Sequence, residues 1–233
     1  MKLIFLLPAF FFIAVTGAIA QDDAALLVQK VKAKLDRVTD YKAEGRMKID
    51  VSFIDAPESK VTVYYKKPDR FKVKKNGGIS ILPKGGISIN MGSLVPSGNY
   101  VAVSGKEAVV GGQLTKVVKL LPSDEGGDVV LTTLYIDEKN LVIRRANVTT
   151  KESGTYEIEM AYGKQLSWGL PDKVVFSFNT KDYKLPKGIT FEYEKGGKKK
   201  EEAFKNKKGK IEISYSAYTV NKGVDDKVFA VDQ

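Results

Sequence analysis

From residue 43 onward the chain alternates apolar and polar side chains in one short stretch after another, and only one stretch repeats at helical spacing. A period of two limits the fold severely, because successive side chains of a strand point to opposite faces of a sheet. Positions Ala43, Gly45, Met47, Ile49, Val51 and Phe53 form one series, and Glu44, Arg46, Lys48, Asp50 and Ser52 form the other. After a turn at Pro57, Val61, Val63 and Tyr65 resume the pattern, and Phe71 and Val73 start again beyond Lys67-Pro68-Asp69. Further strands are expected over 116–121, 129–136, 141–150 and 174–178. Alternation also marks Tyr156, Ile158, Met160 and Tyr162, then Ile189, Phe191 and Tyr193, then Ile211, Ile213 and Tyr215. Strands spaced so closely imply an antiparallel meander with one wet face. The helical repeat is Leu27, Val31, Leu35 and Val38, with Ala24, Val28 and Ala33 beside it and Lys30, Lys32, Lys34 and Arg37 opposite. Asp22 or Asp23 is placed to cap a helix over 22–39. The apolar face of the sheet must be covered, either by a second sheet or by curling round this helix. With one helix and many strands, a curved sheet wrapped round the helix and leaving an apolar pocket fits the element count.

The first twenty residues predict the compartment. Met1-Lys2 is followed by an apolar run from Leu3 to Val15, and Ala18-Ile19-Ala20 supplies a small-x-small site before Gln21-Asp22-Asp23. This is the layout of a secretory signal peptide, with cleavage expected between Ala20 and Gln21. The expected organisation is residues 1–20 as leader and 21–233 as a single domain, soluble, exported and monomeric. The chain has no Cys and no His. It therefore lacks the usual general base, the usual zinc ligands and the Ser-His or Cys-His nucleophile pairs, and neither a metal nor a cofactor is expected. A net charge of +10 raises nucleic acid as a partner. Export and the scarcity of Arg argue against it. The densest basic run, Lys195-Gly196-Gly197-Lys198-Lys199-Lys200 with Lys205, Lys207 and Lys208, reads as a solvated hairpin tip or as a contact for an anionic membrane surface.

Residues 76–100 are apolar yet full of breakers. Gly77-Gly78-Ile79-Ser80 recurs as Gly85-Gly86-Ile87-Ser88, among Ile81, Leu82, Met91 and Leu94. Strands joined by Gly turns, or a flap over an apolar cavity, both satisfy that composition. Glu157 and Glu159 share one strand face opposite the apolar one, so they read as surface rather than as paired catalytic carboxylates. No enzyme is expected.

Several segments in order resemble the LolA-type periplasmic lipoprotein carriers, in the superfamily that includes LolB and RseB. They are 31–43 across the helix-to-strand passage, Tyr64-Tyr65-Lys66-Lys67-Pro68-Asp69-Arg70-Phe71, Lys119-Leu120-Leu121-Pro122, Leu134-Tyr135-Ile136-Asp137 with Leu141-Val142-Ile143, and Val224-Asp225-Asp226-Lys227-Val228-Phe229. The resemblance implies an unclosed, strongly curved antiparallel half-barrel with a helical lid, holding the acyl chains of lipoproteins on their way from the inner to the outer membrane. It implies an inner-membrane releasing complex and an outer-membrane acceptor as partners. The family's gating Arg falls on Lys67, which keeps the charge without the planar fork. Met47, Ile49, Val63, Phe71, Met91 and Met160 are the candidate cavity residues, the methionines because unbranched side chains adapt to variable ligands. A lipid- or lipoprotein-sensing regulator of the RseB type, or a carrier of another hydrophobic ligand, is the alternative.

Overall fold

Alternation becomes one eleven-stranded antiparallel sheet in the computed structural model, which describes residues 19–50, 57–75, 94–95, 98–124, 126–152, 154–179 and 208–230. The strands are β1 (Asp40–Asp50), β2 (Ser59–Lys66), β3 (Arg70–Lys75), β4 (Tyr100–Ser104), β5 (Ala108–Val110), β6 (Gln113–Pro122), β7 (Val129–Asp137), β8 (Val142–Thr150), β9 (Gly154–Ala161), β10 (Lys173–Asn179) and β11 (Lys208–Val220). The order across the sheet is β3-β2-β1-β11-β10-β9-β8-β7-β6-β4, and β5 forms a hairpin with β6. That hairpin turns through Gly111 and Gly112, both at positive φ (56° and 75°), the twist that a two-residue connection requires. The two edges, β3 and β4, do not pair with each other, so the sheet is a half-barrel and not a closed barrel.

The single α-helix among the described residues, α1 (Ile19–Leu35), packs on the sheet against β4. It starts and ends earlier than the expected 22–39. Asp22 and Asp23 lie inside it, after its first residue, and Thr39-Asp40 already leads into β1. Its buried stripe is Ala24, Leu27, Val28 and Val31; Ala33 faces solvent. β4 and β5 were not marked by alternation. The expected strand at 189–193, the breaker-rich stretch up to residue 93 with Met91, and the basic run up to Lys207 lie outside the described residues, whereas Lys208, the last member of that run, begins β11.

One apolar cluster joins the concave side of the sheet to the helix, with Phe176, Leu120, Leu134, Ile136 and Ile158 among its fully buried side chains. The turn from β7 to β8 is tied by Asp137, whose carboxylate accepts hydrogen bonds from Asn140 N (3.1 Å), Asn140 Nδ2 (2.9 Å), Arg144 Nε (3.0 Å) and Arg144 Nη2 (2.7 Å). Burial pushes the Asp137 carboxyl up, but these donors outweigh it and hold it below its ordinary value. Stabilisation from such a group is present above the unfolded carboxylate range near 4 and is lost as pH falls through the lowered folded value. The pair is buried, with side-chain exposures of 13% and 5%. Asp137→Asn should therefore cost about 3 kcal/mol near neutrality, because it strands the Arg144 charge. Urea midpoints at neutral and at acid pH check this: the difference from wild type should shrink once the acid side is reached.

Candidate functional site

The concave face is built by the apolar series predicted from alternation. On β1, Tyr41, Ala43, Met47 and Ile49 share it; in register, Met47 lies opposite Ile213 and Ile49 opposite Ile211. Val63 is placed between Ala43 and Val73, Phe71 opposite Tyr65, and Met160 opposite Val174. All five described candidates thus face the same side, but they do not gather at one point. Met47, Val63 and Met160 are buried in the core, whereas Ile49 and Phe71 are half-buried against it.

Half-buried side chains pack on the core at both ends of the strands, but the two ends differ in what they present. At the end where β1 starts, rings close the face: Tyr41 lies 5.3 Å from Tyr65 and 5.5 Å from Tyr218, and the Tyr218 hydroxyl donates to the Pro171 carbonyl (2.7 Å). Burial pushes the Tyr41 phenol well above its usual range. At the opposite end β1 runs into residues 51–58 and β10 into the connection that leads to β11. There Ile49, Ile211, Tyr156 and Val129 are only half-buried, over Met47 and Phe178. Sequence reasoning missed Ile211, Tyr156 and Val129. Their alternation was visible, but not their place at the exposed end.

Polar fastenings of α1 collect at its C-terminal end. Lys34 Nζ donates to the Asn140 carbonyl (2.7 Å), and Arg37 stacks over Trp168 (5.3 Å). Asn221 Nδ2 donates to the Arg37 carbonyl (2.8 Å). Lys67, on the β2–β3 turn, donates to the Asp36 carbonyl (2.5 Å) and pairs with its carboxylate (3.2 Å). Burial raises the Asp36 carboxyl, but hydrogen bonds from Lys32 and Lys67 bring it below its ordinary value. Among the described residues, positions 23–31 make no side-chain hydrogen bond or ion pair, and apolar packing alone holds that part of the helix. Lys67 and Asp36 are 34% and 47% exposed, which limits their pair to about 1 kcal/mol. Lys67→Ala should therefore speed amide hydrogen exchange in the last turns of α1 by at most about fivefold. Unchanged protection would mean that Lys67 does not steady the helix.

Glu157 and Glu159 lie on the outer face, both paired with Arg145. No cluster of three or more metal-ligating side chains occurs among the described residues. None of the helices described is long and apolar enough to cross a membrane.

An open antiparallel half-barrel with one helix laid across its concave side is the LolA-like fold, the architecture that the ordered segments implied. A putative outer membrane lipoprotein-sorting protein domain from Vibrio parahaemolyticus superimposes with a TM-score of 0.52 at 12% identity, covering 90% of this chain and 97% of that one. A LolA superfamily protein from Nitrosomonas europaea gives 0.55 at 10% identity, covering 89% and 97%. A DUF1329 family protein from Desulfovibrio piger gives 0.52 at 12% identity, covering 91% and 97%. No family model and no curated protein matches the sequence.

Proposed function

We infer that the protein is a non-enzymatic periplasmic carrier that holds the acyl chains of a lipoprotein between the concave face and α1 and moves it from the inner towards the outer membrane. The observation that carries this reading is the concave wall itself, which stays apolar to its half-buried end at Ile49, Ile211, Tyr156 and Val129. Acyl chains need wide apolar walls and no directed chemistry. Each methylene taken from water contributes about 0.8 kcal/mol, so ten contribute about 8 kcal/mol. Lifting Leu27, Val28 and Val31 off the sheet costs about 5–8 kcal/mol on the same scale. A chain of that length can therefore replace the N-terminal half of the helix at near parity, while the fastenings at Lys34, Asp36 and Arg37 keep its other end in place. The fold likeness to a lipoprotein-sorting domain supports the same cargo class.

Native mass spectrometry of the protein purified from a periplasmic extract, followed by lipid extraction, tests the proposal. A co-purifying acylated species is the expected result. A stable protein partner bound without lipid would replace the carrier by the sensor reading.

A further inference from the structure

The outer face of β1, β2 and β3 carries eight cations: Lys42, Arg46, Lys48, Lys60, Lys66, Arg70, Lys72 and Lys74. They share it with five carboxylates, Asp40, Glu44, Asp50, Glu58 and Asp226, which lie on or beside the strip, Asp40 buried and directly opposite Lys66. Arg46 stands directly opposite Lys60, and Lys66 directly opposite Arg70. Like charges opposed across strands destabilise a sheet unless an anion lies between them. At the second pair one does: Asp226 contacts Lys66 and lies 2.9 Å from Arg70, whose guanidinium also covers Phe229. At the first pair Glu58 reaches only Arg46 (3.1 Å). Lys60 and Lys74 make no ion pair among the described residues. Neighbouring strands lie about 4.8 Å apart, so the cations stand out from a broad, pleated surface.

We propose that this outer strip docks the protein on an anionic phospholipid bilayer, with Arg46, Lys60 and Lys74 meeting the headgroups. The strip lacks what a protein partner would need. The large apolar side chains exposed in the described residues, from Leu26 to Val130, all lie on other elements. A protein interface is built round an apolar core, whereas a charged headgroup layer requires only cations in a plane. Docking in this way leaves the concave side and α1 turned away from the membrane plane. The site stands independently of the carrier reading and differs from the basic run over 195–207.

Co-sedimentation of the full protein with vesicles tests it, comparing phosphatidylglycerol–phosphatidylethanolamine with pure phosphatidylcholine. Binding should occur on the anionic vesicles alone and should disappear at about 0.5 M salt. The Lys60→Gln/Lys74→Gln double variant should bind about thirtyfold more weakly. Lys119→Gln/Lys151→Gln removes the same charge from elsewhere on the surface and should lose less than about threefold. Equal losses in the two double variants would overturn the site, because net charge alone would explain them. Failure of the wild type on anionic vesicles, with binding to polyglutamate instead, would overturn it in favour of an acidic protein partner.

Discussion

Gly45→Ala should lower the thermal midpoint by about 10 °C, a large change for a single added methyl group. Gly45 is buried on β1, where the register with β11 shifts: Glu44 pairs with Ala217 and Gly45 with Tyr215. A Cβ there would lie 2.4 Å from the Ser214 carbonyl oxygen and 3.2 Å from the Tyr215 Cα. Both are backbone atoms of β11. β1 cannot back away, because β2 holds its other side. The cost is therefore at least about 3 kcal/mol, and a domain of this size loses roughly 2–4 °C per kcal/mol. Gly163→Ala is the matched control. Its Cβ would lie 2.3 Å from Asp172 Oδ2, but that is the end of a half-buried side chain, which can swing aside at the loss of one long hydrogen bond from Lys164 N (3.2 Å), for about 1 kcal/mol. Differential scanning calorimetry of the two variants decides the matter, and a Gly45→Ala midpoint no lower than that of the control would refute the backbone clash.

Met47→Glu and Ile49→Glu should fail in different ways, although they are two residues apart on one face of one strand. Met47 is 4% exposed, opposite Ile213. A carboxylate there has neither water nor a partner, so the variant should lose several kcal/mol or fail to fold. Ile49 is half-buried, opposite Ile211, at the end of the wall. A carboxylate there can hydrate, so Ile49→Glu should fold with a near-normal midpoint and lose binding of an acylated peptide by at least tenfold, as several methylenes would meet a charge. Thermal unfolding and peptide binding on each variant separate the outcomes. Undiminished binding by a folded Ile49→Glu protein would remove this end of the wall from the proposed site.

β1 was legible because every second residue from Ala43 to Ile49 turns inward, so polarity and geometry coincide. β4 was not, because Val101 and Val103 turn outward while Ala102 turns inward, and an apolar residue on the wet face erases the pattern. The helix start was misplaced because an Asp pair before an apolar stripe is ordinarily a cap, yet here the helical backbone begins before it. Candidate residues could be assigned to a face but not to a depth: Met47 and Ile49 look alike in sequence, and only the position of the strand ends distinguishes them. The contact between Lys67 and Asp36 spans 31 residues and depends on where a turn docks. Neither residue type nor local spacing encodes that, and Lys67 was singled out only through the resemblance of its turn to a known family.

The strand order also bears on how the sheet is completed. β1 is paired on one side by β11, the last strand in chain order among the described residues. A chain threaded across a membrane N-terminus first delivers β1, β2 and β3 long before β11 arrives, and for that interval β1 presents an unsatisfied ladder and a bare apolar face. The slow step of folding is then the closure of a loop almost as long as the domain, which sequence separation makes costly. For the exported carrier proposed above, the chain through β11 would have to be on the far side before the sheet could be completed, and until then its unpaired strand and apolar face would call for a holding factor.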